Sequence, residues 1–362
     1  MANNFDQWYS CNQKTYHNIW QAFYDNKDAK ENYVDYHIDQ ELIGVLKNFK
    51  RPNTSPIYLQ KLMISQLKKL RKTYNEVRFL YSGGTDSYTI LKLAIENDIY
   101  IDETITHMVS LTDNNRTNIE YLFGLNYAQN YVGKNIGKIT IINPTLDDYY
   151  YLDNNNWLSN PNYVKGNPVY IRPCYFNQYL PSTQNKSSIT IIGYEKPQLF
   201  KENDQLYWTL LDYPISECMD MPDLYFFFLD KNNPELVVGQ NFALIDSLPK
   251  ITDGYFNFQT LNLNTPINLI EKIGLYSTNK RYIDKGLLGK KMFDTSIKNQ
   301  RTIKELKKLG RTDILDKIKK TCNKVYNDLK HIPYSIEYQH GFVKSVGRFS
   351  QKIPIYQDSF GS

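Results

Sequence analysis

Residues 77–95 read Val-Arg-Phe-Leu-Tyr, then Ser82-Gly83-Gly84-Thr85-Asp86-Ser87, then Tyr-Thr-Ile-Leu-Lys-Leu-Ala-Ile. The order is an apolar strand, a glycine turn and a helix, and few folds accommodate it. Two adjacent glycines reach backbone conformations closed to other residues, so several N–H groups can point at one place. The helix that follows adds its positive N-terminal end. Ser82 and Ser87 add hydroxyl donors at either edge. Asp86 falls in the first helical turn, where it can cap N–H groups or hold a magnesium ion that travels with phosphates. The sequence thus predicts an anion site between residues 82 and 87.

The surrounding pattern places this turn in an α/β sheet. Helical periodicity runs through Leu59, Leu62, Met63, Leu67 and Leu70, with Thr54 or Ser55 as N-cap and Pro56 at the first helical position. Strands are predicted at Val77–Tyr81, Thr104–Leu111, Lys138–Asn143 and Ser187–Gly193, with a helix from Asn118 to Tyr131. Strands alternating with helices imply a parallel sheet, whose ligands bind beyond the carboxyl ends of the strands. The stretch 144–186 is polar and rich in Tyr, Asn and Pro, and reads as a functional insertion carrying Asp147, Asp148, Arg172 and Tyr175. Residues 1–50 look irregular to helical. Past about residue 215 the alternation stops; Pro222–Leu229 reads as helix or strand, 267–330 as helices, and the tail from Ile332 as irregular.

The pattern Ser-Gly-Gly-X-Asp-Ser at Ser82–Ser87, between a strand and a helix, resembles the PP-loop of the ATP pyrophosphatases. That family includes asparagine synthetase, NAD synthetase, GMP synthetase, argininosuccinate synthetase and several RNA-modifying enzymes. The other phosphate loops do not fit, since no Gly-X4-Gly-Lys-Ser/Thr is present and no Gly-X-Gly-X-X-Gly opens a helix here. The resemblance implies a Rossmann-like, HUP-type parallel sheet that binds Mg-ATP and splits it between the α and β phosphates. It gives Ser82, Gly83, Gly84, Thr85, Asp86 and Ser87 to the nucleotide, and Asp86 also to magnesium. It gives Ser110 and Leu111, at the end of the second strand, to adenine through backbone groups. The specific likeness is confined to the loop.

Gly193-Tyr194-Glu195-Lys196-Pro197 follows the fourth strand and faces the same cleft. Lys196 there can neutralise the α-phosphate as pyrophosphate leaves, and Glu195 can bind magnesium or position a nucleophile; an exposed charged turn is the alternative for both. Asparagine synthetase-like enzymes carry Gly-Glu-X-X-Asp-Glu after a comparable strand, and this chain has Gly-X-Glu without the Asp-Glu pair. Asp113 and Arg116 follow the second strand on a polar loop. Lys290-Lys291 belong either near an adenylate or to a basic face. His107 lies mid-strand and reads as packed, and His17, His37, His331 and His340 have no ligand-like spacing.

Across residues 272–330 there are 17 Lys/Arg and 6 Asp/Glu, a local net of +11 in a chain whose total is +5, so the rest carries −6. A basic face of this kind binds RNA, DNA or another polyanion, or is simply a solvated helical surface. The 31 tyrosines, with abundant Asn, Lys and Ile, match AT-rich codon usage of a bacterium or its phage; stacking on nucleobases is the functional alternative. Cys11, Cys174, Cys218 and Cys322 are far apart and form no Cys-X-X-Cys, which speaks against a structural zinc site or a thioredoxin-like pair and suits a reducing compartment; Cys174 reads as a buried inert thiol, with a reactive role the alternative. No apolar run reaches the roughly 18 residues of a membrane helix, and residues 1–30 lack a signal-peptide core. The expected location is the cytoplasm of a bacterium or of a phage-infected host.

Together these readings predict an α/β chain with a helical N-terminal extension (1–75), a PP-loop core (76–215) and a mostly helical, basic C-terminal region (216–362). The expected activity is adenylation of a substrate carboxylate or carbonyl oxygen, followed by attack of a nitrogen nucleophile to form an amide. Met1-Ala-Asn-Asn offers no glutaminase nucleophile, so ammonia, an amine or a separate donor must supply the nitrogen. The alternatives are a base-modifying enzyme acting on tRNA or DNA, and a non-catalytic protein that binds nucleotide or nucleic acid.

Overall fold

The structure is a computed structural model, and it describes residues 7–16, 22, 25, 34–107, 119–142, 187–193, 197–210, 223–247, 254–256, 304, 306–330, 335–340, 343–348 and 350–355. The first elements are strands, which corrects the reading of residues 1–50 as irregular to helical. β1 (Gln7–Cys11), β2 (Lys14–Tyr16) and β3 (Asp35–Ile38) form an antiparallel sheet in the order β2–β1–β3. Asn12 and Gln13 have φ of 47° and 64°, the mirror-image turn whose twist suits a two-residue hairpin. Alternation then sorts the faces, with Tyr9, Cys11, Tyr36 and Ile38 buried and Trp8, Ser10 and His37 on the other side.

Two helices lead to the central sheet. In α1 (Gln40–Asn48) the N-cap Asp39 accepts from the N–H groups of Glu41 (2.9 Å) and Leu42 (3.3 Å). In α2 (Pro56–Thr73) Ser55 is the N-cap and Pro56 opens the helix, while Leu59, Met63, Leu67 and Leu70 are buried at the expected helical spacing.

From here strands and helices alternate through β4 (Glu76–Leu80), α3 (Thr85–Glu96), β5 (Ile101–His107), α4 (Ile119–Gln129), β6 (Ile136–Ile142) and β7 (Ser188–Ile192). β8 (Gln198–Glu202) and β9 (Gln205–Thr209) make a hairpin, and β10 (Leu224–Phe226) and α5 (Pro234–Ser247) follow. The central sheet has five strands in the order β10–β7–β4–β5–β6, and every pair is parallel. Its first strand in the chain is the middle one, with the next two on one side and the last two on the other. This is a doubly wound, Rossmann-like α/β core. All five residues of β7 are buried, as a strand covered on both faces requires. The fifth strand comes from residues 224–226, past the point where alternation ends in the sequence.

A second sheet, missed in the sequence, has the order β11–β8–β9–β14. It includes β11 (Gly254–Phe256) and, after α6 (Thr312–Leu329) and the antiparallel hairpin β12 (Ser335–His340) with β13 (Val343–Arg348), the strand β14 (Ile353–Ile355). Trp208 of β9 meets Phe242 of α5 edge to face, with ring centroids 5.5 Å apart. The tail expected to be irregular is thus built from β12, β13 and β14. Among the described residues beyond 216, strands β10–β14 stand beside α5 and α6, and residues 257–303, where much of the helical region is expected, lie outside the described residues. No helix among the described residues is long and apolar enough to cross a membrane.

A polar clamp fixes the entry to the central sheet. The Arg71 guanidinium donates to the carbonyls of Tyr74 (2.7 Å) and Asn75 and to the Asp102 carboxylate, which in turn accepts from the Val77 N–H (2.7 Å). The clamp ties the end of α2 to the starts of β4 and β5. Arg71→Ala should therefore lower stability by about 1–2 kcal/mol, because charged hydrogen bonds are lost from a partly shielded site. Urea unfolding of the variant tests this, and an unchanged midpoint would show the clamp to be dispensable.

Candidate functional site

β4 ends at Leu80, and the Tyr81 N–H still donates to the Ile105 carbonyl (2.8 Å), so pairing holds to the last residue before the turn. The chain then swings through Ser82 and Gly83. Gly83 has φ +75°, a conformation that a side chain would strain, which explains one glycine of the pair. Gly84 is the N-cap of α3 and has no side chain with which to cap it. The turn is held internally instead. The Gly84 N–H donates to Ser82 Oγ (3.2 Å), and the Ser87 hydroxyl donates to the Gly84 carbonyl (3.1 Å). Ser82 and Ser87 hydroxyls are 3.1 Å apart; with the Ser87 proton used on Gly84, Ser82 is the donor of that pair. Ser82 is exposed and Ser87 buried, so the outer hydroxyl can turn its proton toward a ligand while the inner one keeps the turn closed.

Two other elements come close to this turn, and both do so through glycine. A Cβ on Gly124 of α4 would lie 2.4 Å from the Gly83 Cα and 3.2 Å from the Tyr81 hydroxyl. A Cβ on Gly193, the residue after β7, would lie 2.5 Å from the Ile90 Cδ1 and 3.7 Å from the Ser87 N. The exits of β4 and β7 therefore meet over the first turns of α3. They lie on either side of the point where the chain switches from one half of the sheet to the other, which is where ligands bind in doubly wound sheets. Behind the turn, Tyr88 of α3 packs edge-on against Tyr127 of α4 (4.8 Å between centroids), and Tyr127 against Tyr131 (5.2 Å). Burial pushes the Tyr88 and Tyr127 phenols up, so both stay neutral. These rings lock α4 to α3 and so hold Gly124 against the turn.

Of the residues singled out in the sequence, the structure brings together Ser82, Gly83, Gly84, Thr85, Asp86 and Ser87. Thr85 is the first residue of α3, and Asp86 sits in its first turn, partly exposed. Ser110, Leu111, Asp113 and Arg116 lie outside the described residues, as do Glu195, Lys196, Lys290, Lys291, Asp147, Asp148, Arg172, Tyr175 and Cys174. His107 closes β5. Cys11 is a buried thiol, and burial pushes its pKa up.

Gly124 and Asn241 were missed. Gly124 had a signal, a glycine inside a helical pattern, which marks close packing. Asn241 of α5 is buried and donates through Nδ2 to the Pro197 carbonyl, anchoring the segment that follows β7; nothing local in the sequence announces this contact. Among the described residues no group of three or more His, Cys, Asp or Glu is placed to hold a metal ion. The turn offers a single carboxylate, Asp86, which suits magnesium held mainly by phosphate oxygens and water rather than by a protein cage.

The close contact at Gly124 generates a direct test. Gly124→Ala should push α4 away from the turn, lowering stability by about 1–3 kcal/mol through overpacking against backbone. It should also weaken any anion bound at residues 82–87. A melting curve together with a ligand titration checks both; a variant as stable as the parent would remove α4 as a wall of the site.

Comparison of the chain with protein-family models and with curated proteins finds no match.

Proposed function

We propose that this chain is an ATP-dependent adenylating enzyme with a HUP-type PP-loop core, forming an amide in the manner of the asparagine synthetase-like ligases. One observation carries the reading. The Ser82–Ser87 turn lies at the carboxyl end of the middle strand, at the switch point of a doubly wound sheet, with a left-handed glycine and the start of α3 behind it. A phosphate group is the kind of ligand that such a turn at a helix start receives.

In this reading the β and γ phosphates of ATP lie in the turn, where Ser82 donates its hydroxyl proton and the N-terminal end of α3 supplies favourable potential. An oxygen of the acceptor attacks the α-phosphorus. A new oxygen–phosphorus bond forms there, and the bond between the α-phosphorus and the bridging oxygen breaks, with pyrophosphate taking the electron pair. A nitrogen nucleophile then adds to the activated carbon, loses a proton to solvent or base, and expels AMP. Magnesium, bound with the phosphates, would supply charge neutralisation, and Asp86 is the described carboxylate able to hold it, with Glu195 its sequence-level partner. Lys196 is assigned to the departing charge on the same grounds. The protein's contribution is mostly positioning, which is why neutral donors and glycines dominate the turn.

Calorimetry with an ATP analogue that cannot be cleaved between the α and β phosphates, with magnesium, tests the reading. The wild-type chain should bind saturably, and Asp86→Ala should bind at least about tenfold more weakly, a loss of about 1.4 kcal/mol. Absence of binding by folded wild-type protein would overturn the proposal. Release of AMP and pyrophosphate rather than ADP would then identify the reaction.

A further inference from the structure

We propose that β6, the open edge of the central sheet, is the surface through which two copies of this chain associate, pairing antiparallel to make one continuous sheet. The inference goes beyond the ATP reading and does not rest on it.

The sheet ends on β10 at one side and on β6 at the other. All three residues of β10 are buried. On β6, Lys138 and Ile141 are exposed, and Gly137, Ile139 and Thr140 are half-buried. Five large apolar residues are exposed among the described ones, and three of them, Tyr100, Val132 and Ile141, gather at this edge, each 40–44% exposed. Val132 makes a parallel bridge to Ile136. A Cβ on Gly137 would lie 2.8 Å from the Tyr100 hydroxyl, so the Tyr100 side chain reaches over β6. Exposed apolar groups concentrated beside one unpaired strand mark a protein contact rather than scattered surface. The devices that usually keep edges apart are weak here. Residues 136–142 contain no proline, and five of the seven are β-branched. Their one charge, Lys138, lies 3.3 Å from the Glu103 carboxylate, which also accepts from the Thr140 hydroxyl.

A second copy is the occupant that this strand fits. The turn before β6 closes over its first residue: the Gly133 N–H donates to the Ile136 carbonyl (2.8 Å), and the Ile136 N–H donates to the Tyr131 carbonyl (3.1 Å). A partner strand therefore pairs from Lys138 onward. Antiparallel pairing centred on Thr140 uses the rest of the strand, Lys138 to Ile142, in both copies. Thr140 then faces Thr140 of the second copy, and Ile139 faces Ile141 in both directions. The exposed Ile141 side chains are covered, and cross-strand pairs of these residue types are favourable. Lys138 faces the aliphatic Ile142, whereas pairing centred on Lys138 would set like charges opposite each other. The contact is isologous. With β10 buried, the central sheet of each copy offers one open edge, so the assembly closes at two.

Sedimentation velocity and light scattering of the full chain, from about 1 to about 100 μM, test this. At the upper end wild type should have twice the 42.7 kDa mass of one chain. Ile141→Lys places a charge from each copy in the contact and should weaken self-association at least about tenfold. Ile57→Lys makes the same change at a position of α2 that is 69% exposed and should associate as wild type does. Circular dichroism confirms that both variants fold. Thr140→Cys sets one thiol of each copy beside the axis that relates them. Under oxidised glutathione it should give a linked dimer whose disulfide maps to residue 140 by peptide mass, a readout that stands even where Ile141→Lys fails to fold. Three outcomes overturn the proposal: a wild-type monomer throughout the range, weakening by Ile57→Lys as large as that by Ile141→Lys, or a dimer in which no disulfide forms at residue 140. Binding of the ATP analogue to the Ile141→Lys variant is measured separately and bears only on the ATP reading.

Discussion

β4 is hydrogen-bonded along both edges, to β5 on one side and to β7 on the other, and this double pairing governs what lies around it. A strand fixed on both sides cannot shift register without breaking two ladders at once. Its last residues, Phe79 and Leu80, are therefore held opposite Thr104 and Ile105 in one neighbour and Ile191 and Ile192 in the other. The turn that follows begins from a fixed point. Loops carry function best when a rigid scaffold aims them, and here the scaffold is the centre of the sheet rather than its edge. The Arg71–Asp102 clamp holds the opposite end of the same strands, so the middle of the sheet is tied at both ends.

The Ser82–Ser87 turn and helix α6 present different groups to their surroundings. The Ser82–Ser87 turn has hydroxyls, backbone donors and a helix end, with one carboxylate in place of any lysine or arginine. Its shape depends on close approach: Gly124 lies against the Gly83 backbone, and Gly193 lies against Ile90 and near Ser87. α6 carries four lysines and three aspartates, formal charges of both signs on one helix. Exposed formal charges act at a distance and are screened by salt, whereas hydroxyls and backbone dipoles such as those of the turn act only at contact.

The central sheet was legible because its signals are local and mutually consistent. The run Ser188–Ile192 is buried on both faces, Pro56 and its N-cap mark the start of α2, and Ser82–Ser87 joins a strand to a helix. The antiparallel pieces were not legible, and the reason lies in their turns. Both β1–β2 and β8–β9 close through two residues at positive φ, but these are Asn12-Gln13 and Asn203-Asp204, with no glycine in either. Hairpins of this kind announce themselves through Asn-Gly or Asp-Gly. Without that mark, short strands such as Gln198–Glu202 pass for polar loop. β10 escaped for another reason: three buried residues, Leu224, Tyr225 and Phe226, are too few to show a period, and only pairing with β7 makes them a strand. The candidate site was legible as a turn and illegible beyond it, because the approach of Gly124 to the turn and the Asn241 contact with the Pro197 carbonyl are set by tertiary packing.

The strand β14 has a consequence for how the chain is assembled. It pairs with β9, and the Gln205 side chain donates to the Ile355 carbonyl across a separation of 150 residues, while the Ser350 N–H donates to the Leu210 carbonyl. The hairpin β8–β9 emerges from the ribosome long before this partner does. For that interval one edge of it is open, and an open edge is where strands of different chains join. The parallel core pairs over shorter separations and can close first, so nascent chains of this protein carry a formed central sheet beside an unfinished one. Translation speed through residues 210–350, rather than the stability of the finished fold, then sets how long that edge is exposed to neighbouring chains.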